Sequence, residues 1–305
     1  MDLPPGLVTR PLVPDDARAV YELMAAQERA DLGRVDIEEA DIVGDWARPS
    51  FDIGSSTVGV LHGNELVAYA EVSSDGRGDA AVTPAWRGLG IGTALAHWMQ
   101  ATARAKDMTV IGMPTPQGSP GDRLLAALGY RIRWTSWVLT LDEGARIPDR
   151  PLPTGYAVRS AEPAEHRALH TVLEDAFLEW SQRERETFED FTASVIDRPD
   201  VGAWCLRVVT DPAGEVVAAA VVTATASEEG RPLEGYVGRI AVRRDERGRG
   251  LAQALLADSF EEARRHGAVT CSLSTDTRTG ALGLYEKVGM RVTDTWVNRG
   301  LDLTS

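Results

Sequence analysis

Arg247-Gly248-Arg249-Gly250-Leu251-Ala252 matters most in this chain because Arg87-Gly88-Leu89-Gly90-Ile91-Gly92 carries the same pattern, R-G-x-G-x-(G/A), 160 positions earlier. The offset holds without a gap beyond the motif. Ala81-Val82 match Ala241-Val242, Ala94-Leu95 match Ala254-Leu255, and Ala103-Arg104 match Ala263-Arg264. Leu124, Gly129, Arg131, Thr135 and Leu141-Asp142 likewise match Leu284, Gly289, Arg291, Thr295 and Leu301-Asp302. A repeat of this extent is one domain written twice, so each copy can be read against the other.

Outward from the first motif, residues 79–82 read as a strand and 93–106 as an amphipathic helix rich in alanine and leucine. Upstream, a strand at 7–10 precedes a helix starting near Asp15, with Ala17, Val20, Leu23 and Met24 at helical spacing. Strands at 58–61 and 65–72 flank His62-Gly63-Asn64 as a hairpin. Downstream, strand 109–113, a short helix at 122–128 and strand 133–141 close the unit. The second copy follows the same plan, with strands at 156–159, 203–210, 215–225, 236–242, 269–274 and 291–303. Its helices are expected at 165–177, 252–266 and 280–287. The stretch 143–154 holds three prolines and alternating charges, the composition of a linker. Two tandem domains are therefore expected, 1–142 and 155–305. Helices among mainly antiparallel strands give each an α+β fold with a mixed sheet.

The 305 residues are 43% apolar and 26% charged, a globular balance with enough length for two cores. A net charge of −14 argues against nucleic acid, since no basic stripe offsets phosphate repulsion. It suits a cationic small molecule, or only keeps the chain in solution. Cys205 and Cys271 lie in apolar runs with no metal-ligand spacing, as in a reducing compartment. Residues 1–5 carry neither a basic nor an apolar leader, and no apolar run is long enough to cross a bilayer. A cytoplasmic monomer or homodimer is expected, with no membrane partner and no metal.

Alone, the motif is a weak signal. Its context strengthens it, because both copies follow a strand ending in valine and open a helix. Glycines let the chain turn tightly and approach a ligand closely. Amides at a helix N-terminus then face outward beside the positive end of the dipole. Arg247 and Arg249 are expected to add charged donors, each bond contributing roughly 1.5–3 kcal/mol to an ionised partner. The pattern reads as a diphosphate cradle. A dinucleotide fold is excluded because the preceding segments form antiparallel hairpins rather than a βαβ unit. A P-loop is excluded for want of Gly-Lys-Ser/Thr.

These residues resemble the acetyl-CoA diphosphate loop of the GNAT N-acyltransferase superfamily, (Q/R)-x-x-G-x-(G/A) after the fourth strand, in both halves. A second signature, A-x-x-L-Y-x-x-x-G-(F/M), is matched from Ala281 through Leu284, Tyr285 and Gly289 to Met290. The resemblance implies acetyl-CoA as acyl donor, its diphosphate on residues 247–252, and in the first copy on Val82 and residues 87–92. It implies pantetheine paired to the backbone of Ile240, Ala241 and Val242, with the thioester where the fourth and fifth strands splay. It also places Tyr285 beside the departing sulfur as general acid, where a neutral phenol can hydrogen-bond or protonate a thiolate. The plainer reading of Tyr285 is a core tyrosine.

The offset sets Leu125 opposite Tyr285, Gly76 opposite Tyr236 and Ser74 opposite Glu234. Catalysis is therefore expected in the second domain. The first is then structural, a cofactor-binding relic or a wall of the acceptor site. Glu234, in phase with Tyr236, Gly238 and Ile240, is the candidate base for a protonated primary amine on a small-molecule acceptor. It also reads as a solvated strand end. Glu179, Glu186, Glu189 and Asp190 lie where the family's acceptor lid falls, and would grip a cationic acceptor or belong to an exposed amphipathic helix. The asparagine common before the tyrosine helix is missing, with Thr277, Arg278 and Thr279 in its place. A non-catalytic acyl-CoA-binding module and an enzyme for larger acyl groups, with room left by Gly238 and Ala241, stay open.

Overall fold

The computed structural model describes residues 1–226 and 232–304. In chain order the first part comprises β1 (Leu7–Arg10), α1 (Ala17–Leu32), α2 (Glu39–Trp46), α3 (Ile53–Ser56), β2 (Thr57–His62) and β3 (Glu65–Val72). Then come β4 (Gly78–Val82), α4 (Ile91–Ala105), β5 (Val110–Pro116), α5 (Pro120–Ala127) and β6 (Arg131–Leu141). The repeat begins with β7 (Ala157–Ser160), α6 (His166–Phe177), α7 (Phe188–Phe191), β8 (Leu206–Thr210), β9 (Val216–Thr225) and β10 (Leu233–Val242). It ends with α8 (Leu251–Arg265), β11 (Ala268–Asp276), α9 (Leu282–Lys287) and β12 (Arg291–Asp302).

Two compact units result, Met1–Thr135 with Thr295–Ser305, and Ser136–Asp294. In unit one, β1-β2-β3-β4 form an antiparallel sheet in that order. Strand β5 pairs antiparallel with residues 296–302 of β12. One face is covered by α4, whose Ile91, Leu95, Met99 and Ala103 recur at helical spacing and meet Val67 and Val72. The other lies under α1 and α2, where Val20, Leu23, Ile42 and Trp46 enclose Tyr69.

In unit two the antiparallel run β7-β8-β9-β10 continues through β11, which is parallel to β10, to residues 136–141 of β6, antiparallel to β11. On one face, Leu251 and Leu255 of α8 pack on β9, and Leu256 and Phe260 on Val222, Val237 and Leu273. On the other, Leu169 and Leu173 of α6 join Phe191, Val208 and Val221. Each unit is thus the mixed, mainly antiparallel α+β fold that the patterning implies.

Contiguous halves 1–142 and 155–305 do not describe these units. Residues 136–141 complete the sheet of unit two, and residues 296–302 that of unit one. The repeat explains why sequence cannot say so. The two final strands occupy equivalent places in the repeat, and strand patterning marks a strand without naming its partner sheet. The 143–154 stretch, expected as a linker, lies inside unit two and runs along α8. Arg264 donates to the Ala145 carbonyl at 2.7 Å and Gln253 to that of Pro148 at 2.7 Å. Helices α2 and α3 were not anticipated.

Candidate functional site

In unit two, β10 and β11 pair in parallel from Leu233–Ala268 to Val237–Leu273, and there the pairing stops. Against β9 on the other side, the register of β10 slips between Val237 and Arg239. Gly238 is the extra residue of a β-bulge, as a glycine inside a strand often signals. The strands therefore part at the bulge. Residues 238–242 keep β9 on one edge and have no strand on the other among the described residues. An extended chain with amide donors and acceptors, such as pantetheine, fits that edge.

The bulge also changes which side chains share a face. Glu234 and Tyr236 lie opposite Thr225 and Thr223, while Arg239 and Ala241 lie opposite Val221 and Ala219 on the α6 side. Ile240 turns to the α8 side, among the residues packed on Leu255 and Leu256. The expected phase, Glu234 with Gly238 and Ile240, is thus broken by the inserted residue, and Arg239 joins Glu234 and Tyr236 instead. The Tyr236 hydroxyl meets Ser274 Oγ at 3.2 Å, spanning the mouth of the splay.

After Val242 the chain makes the 247–252 turn and enters α8. Gly248 and Gly250 have φ of 80° and 83°, and no side chain caps the helix. In unit one Gly88 and Gly90 have φ of 76° and 84°, and α4 is equally uncapped. L-residues adopt this backbone only at a cost, which accounts for the glycines in both copies.

The arginines behave differently from expectation. Arg247 donates to the Val242 carbonyl at 3.1 Å and forks onto Glu179 at 2.8 and 2.7 Å. Arg87 repeats this with Val82 at 3.4 Å and Asp31 at 2.7 and 3.0 Å. Arg249 donates to the Tyr156 hydroxyl at 2.8 Å and lies 3.3 Å from Glu246. The first arginine of each motif therefore braces its turn against an acid far along the chain. Those acids hold the arginines and leave the turn amides uncapped.

Tyr285 sits on α9 and packs, half-buried, against the core that holds Leu139, Leu273 and Met290. Burial raises its phenol above the ordinary tyrosine value, so it stays protonated. Glu234 is half-exposed at the start of β10 and forms no ion pair with a described residue. Cys271 is fully buried, and burial pushes its thiol up to about 11, which removes it as a nucleophile near neutrality.

The 178–187 segment joins α6 to α7, and only its continuation, Phe188–Phe191, is helical. Its acids do not stand open to a cation. Glu179 holds Arg247, whose hydrogen bond lowers the carboxyl pKa. Glu186 takes Arg239 at 2.5 and 3.2 Å. Glu189 lies 3.6 Å from Arg167, and Asp190 is buried. Arg278 stacks over Trp180 at 4.6 Å. Three arginines, from the turn, from β10 and from the loop after β11, thus fasten this segment. Arg239, Ser274 and the Arg278–Trp180 stack escaped sequence reading. The glycine at 238 was the signal for the first; the others depend on pairings between distant residues.

Among the described residues no helix is long and apolar enough to cross a membrane. The acetyltransferase (GNAT) family model matches residues 18–130 and 166–290. A mycothiol acetyltransferase of Salinispora arenicola is 33% identical over 237 residues, 73% of this chain and 74% of that protein. The crystal structure of a GCN5-related N-acetyltransferase from Sphaerobacter thermophilus superposes with a TM-score of 0.76 at 28% identity, covering 99% and 97% of the two chains. A tandem GNAT protein from the clavulanic acid biosynthesis pathway shares the fold, with a TM-score of 0.72 over 98% and 99% at 19% identity.

Proposed function

Because this chain belongs to the acetyltransferase (GNAT) family, we propose that unit two moves an acetyl group from acetyl-CoA directly to a primary amine of a small molecule. The observation that carries this reading is the parting of β10 and β11 beyond Val237–Leu273, just ahead of an uncapped helix turn. Bound acetyl-CoA would supply the activated thioester. The backbone of Ile240, Ala241 and Val242 would orient it, and the amides of residues 247–252 would hold its diphosphate. Glu234 takes the proton that the amine must lose, directly or through water. The Tyr285 phenol, kept neutral by burial, hydrogen-bonds or protonates the leaving thiolate. With reference values near 10 for tyrosine and about 8.5 for a thiol, hydrogen bonding outweighs full transfer. Unit one keeps the turn but has Leu125, buried in its core, where unit two has Tyr285.

The relatives named mycothiol acetyltransferase favour a second reading, an acceptor with a cysteinyl amine. On β10 that amine would meet Glu234, with Tyr236 two positions later on the same face. Release of coenzyme A, followed with a thiol reagent across simple amines, amino sugars and cysteinyl amines, tests both readings. No release with any amine, while acetyl-CoA still binds, would instead support a cofactor-sensing module.

A further inference from the structure

Residues 143–154 form a strap whose placement on α8 is built in. Ile147 is buried in the core beneath, and Leu152 packs on the cluster of Leu251 and Leu255. Gln253 fixes the Pro148 carbonyl at 2.7 Å, and Arg146 meets Glu261 at 3.1 Å. Prolines 148, 151 and 153 fix φ and lower the entropy lost when the strap is ordered. Between these anchors the strap carries Arg150 across the 247–252 turn. A Cβ on Gly250 would lie 2.6 Å from Arg150 Nε, 2.7 Å from Cγ and 3.2 Å from Cδ.

The acids at this turn are engaged by its other arginines. Arg247 and Arg249 already have Glu179 and Glu246. Arg150 is exposed and makes no hydrogen bond or ion pair with a described residue. It stands at the positive end of the α8 dipole beside two other arginines, where a cation is unfavourable unless an anion joins it. In unit one the corresponding approach to Gly90 is a cleft lined by Met1, Asp2, Leu3, Thr93 and His97, with an acid and no arginine.

We propose that Arg150 is a diphosphate-holding residue of unit two, the cation that completes the turn when coenzyme A binds. This rests on the reading above and adds a residue from the strap. Calorimetric titration of the full chain with coenzyme A, 3′-dephospho-coenzyme A and pantetheine tests it. Arg150→Ala is expected to weaken the first two equally, about tenfold at one site, and to leave pantetheine unchanged. Arg150→Lys restores part of the loss, the melting temperature does not move, and the salt dependence of binding becomes shallower. Unchanged affinity in Arg150→Ala, tighter binding, or a loss confined to coenzyme A with its 3′-phosphate would each overturn the assignment. If the unaltered chain takes up no coenzyme A at all, the cofactor reading itself fails.

Discussion

The two turns match down to the arginine that braces each against an acid, yet the strands leading into them are built differently. In unit two, β9 and β10 run on past the bulge, from Val242 back to Leu233, and carry Glu234 and Tyr236. In unit one, β4 begins at Gly78 and pairs with β3 without a bulge. Residues 73–77 turn back tightly, with the Ser73 amide donating to the Arg77 carbonyl at 2.8 Å. Gly76, at φ 78°, comes so close to β5 that a Cβ would lie 2.6 Å from the Val110 carbonyl oxygen. The contact that remains with β5, Gly112 donating to the Gly76 carbonyl at 2.9 Å, corresponds by the 160-residue offset to the paired Tyr236 and Ser272. Beyond it β4 has only β3 as a partner strand among the described residues, so both units part at the same place. What separates the units is the hairpin. Unit one keeps the glycine turn, while the longer, bulged β9–β10 hairpin of unit two alone carries Glu234 and Tyr236, the side chains that the proposed reading assigns to the acceptor side.

The largest expected effect tests whether the turns are equivalent. Gly250→Glu forces an L-residue to φ 83°, costing about 1–2 kcal/mol, and drives a carboxylate and its Cβ into Arg150. Turnover with the best amine of a panel should fall by about 10³-fold or more, since the hold on the diphosphate of acetyl-CoA would be lost. Gly90→Glu imposes the same strain at φ 84°, into open space. It should leave turnover within about threefold and remove only a calorimetric site for coenzyme A, if unit one has one. Equal losses would mean that both units transfer.

Next in size is the tyrosine asymmetry. Tyr285→Phe is expected to lower kcat by about 10²–10³-fold with KM for acetyl-CoA unchanged, read by thiol release at saturating acceptor. The reciprocal change, Leu125→Tyr, should gain no activity. Leu125 is 3% exposed in the core of unit one, so the new hydroxyl would be buried without a partner, at a cost of roughly 1–3 kcal/mol. Thermal unfolding would register that loss.

How much of this was readable beforehand follows the range of the interactions involved. The turns and their helices were legible because glycine spacing and a 3.6-residue period are local properties. The sheet that residues 136–141 and 296–302 each join was not, because pairing partners far along the chain leave no local mark. The face of Arg239 was hidden by one inserted residue, since a period of two inverts at a bulge. The braces from Arg87 to Asp31 and Arg247 to Glu179 join residues 56 and 68 positions apart, which no spacing rule connects. Arg150 was visible only as one charge in a proline-rich stretch, and its role depends on where the strap lies.

A third contrast concerns protons. At the β4 position opposite Arg239, unit one has Asp79, and its cross-strand partner Glu71 is buried beneath α2. Burial, and then Asp79, push the Glu71 carboxyl up to about 7, against the Trp46 indole, which donates to it at 2.8 Å. A carboxyl whose folded pKa is raised binds its proton more tightly when folded. Its contribution to stability is complete below about 4.5 and is lost as pH rises through about 7. The melting temperature of the parent chain should therefore fall relative to Glu71→Gln between pH 5 and 8, with a gap on the order of 1–3 kcal/mol at the upper end. A gap independent of pH would show that Glu71 ionises as freely as in the unfolded chain.

The smallest effect separates the braces themselves. The Arg87–Asp31 pair has side chains 25% and 9% exposed, whereas Arg247–Glu179 stands at 43% and 33%. Removing a charge from the more enclosed pair leaves a guanidinium with less water to replace its partner. Asp31→Asn should therefore cost about 1–2 kcal/mol by thermal unfolding. Glu179→Gln leaves Arg247 well solvated and should cost only a few tenths of a kcal/mol. Its effect should appear in the acceptor segment instead. With Trp180 and Glu186 still held by Arg278 and Arg239, KM for the acceptor should shift less than twofold. A large rise in KM from Glu179→Gln alone would make the turn-side brace the dominant hold on residues 178–187, and would couple cofactor binding to acceptor binding through Arg247.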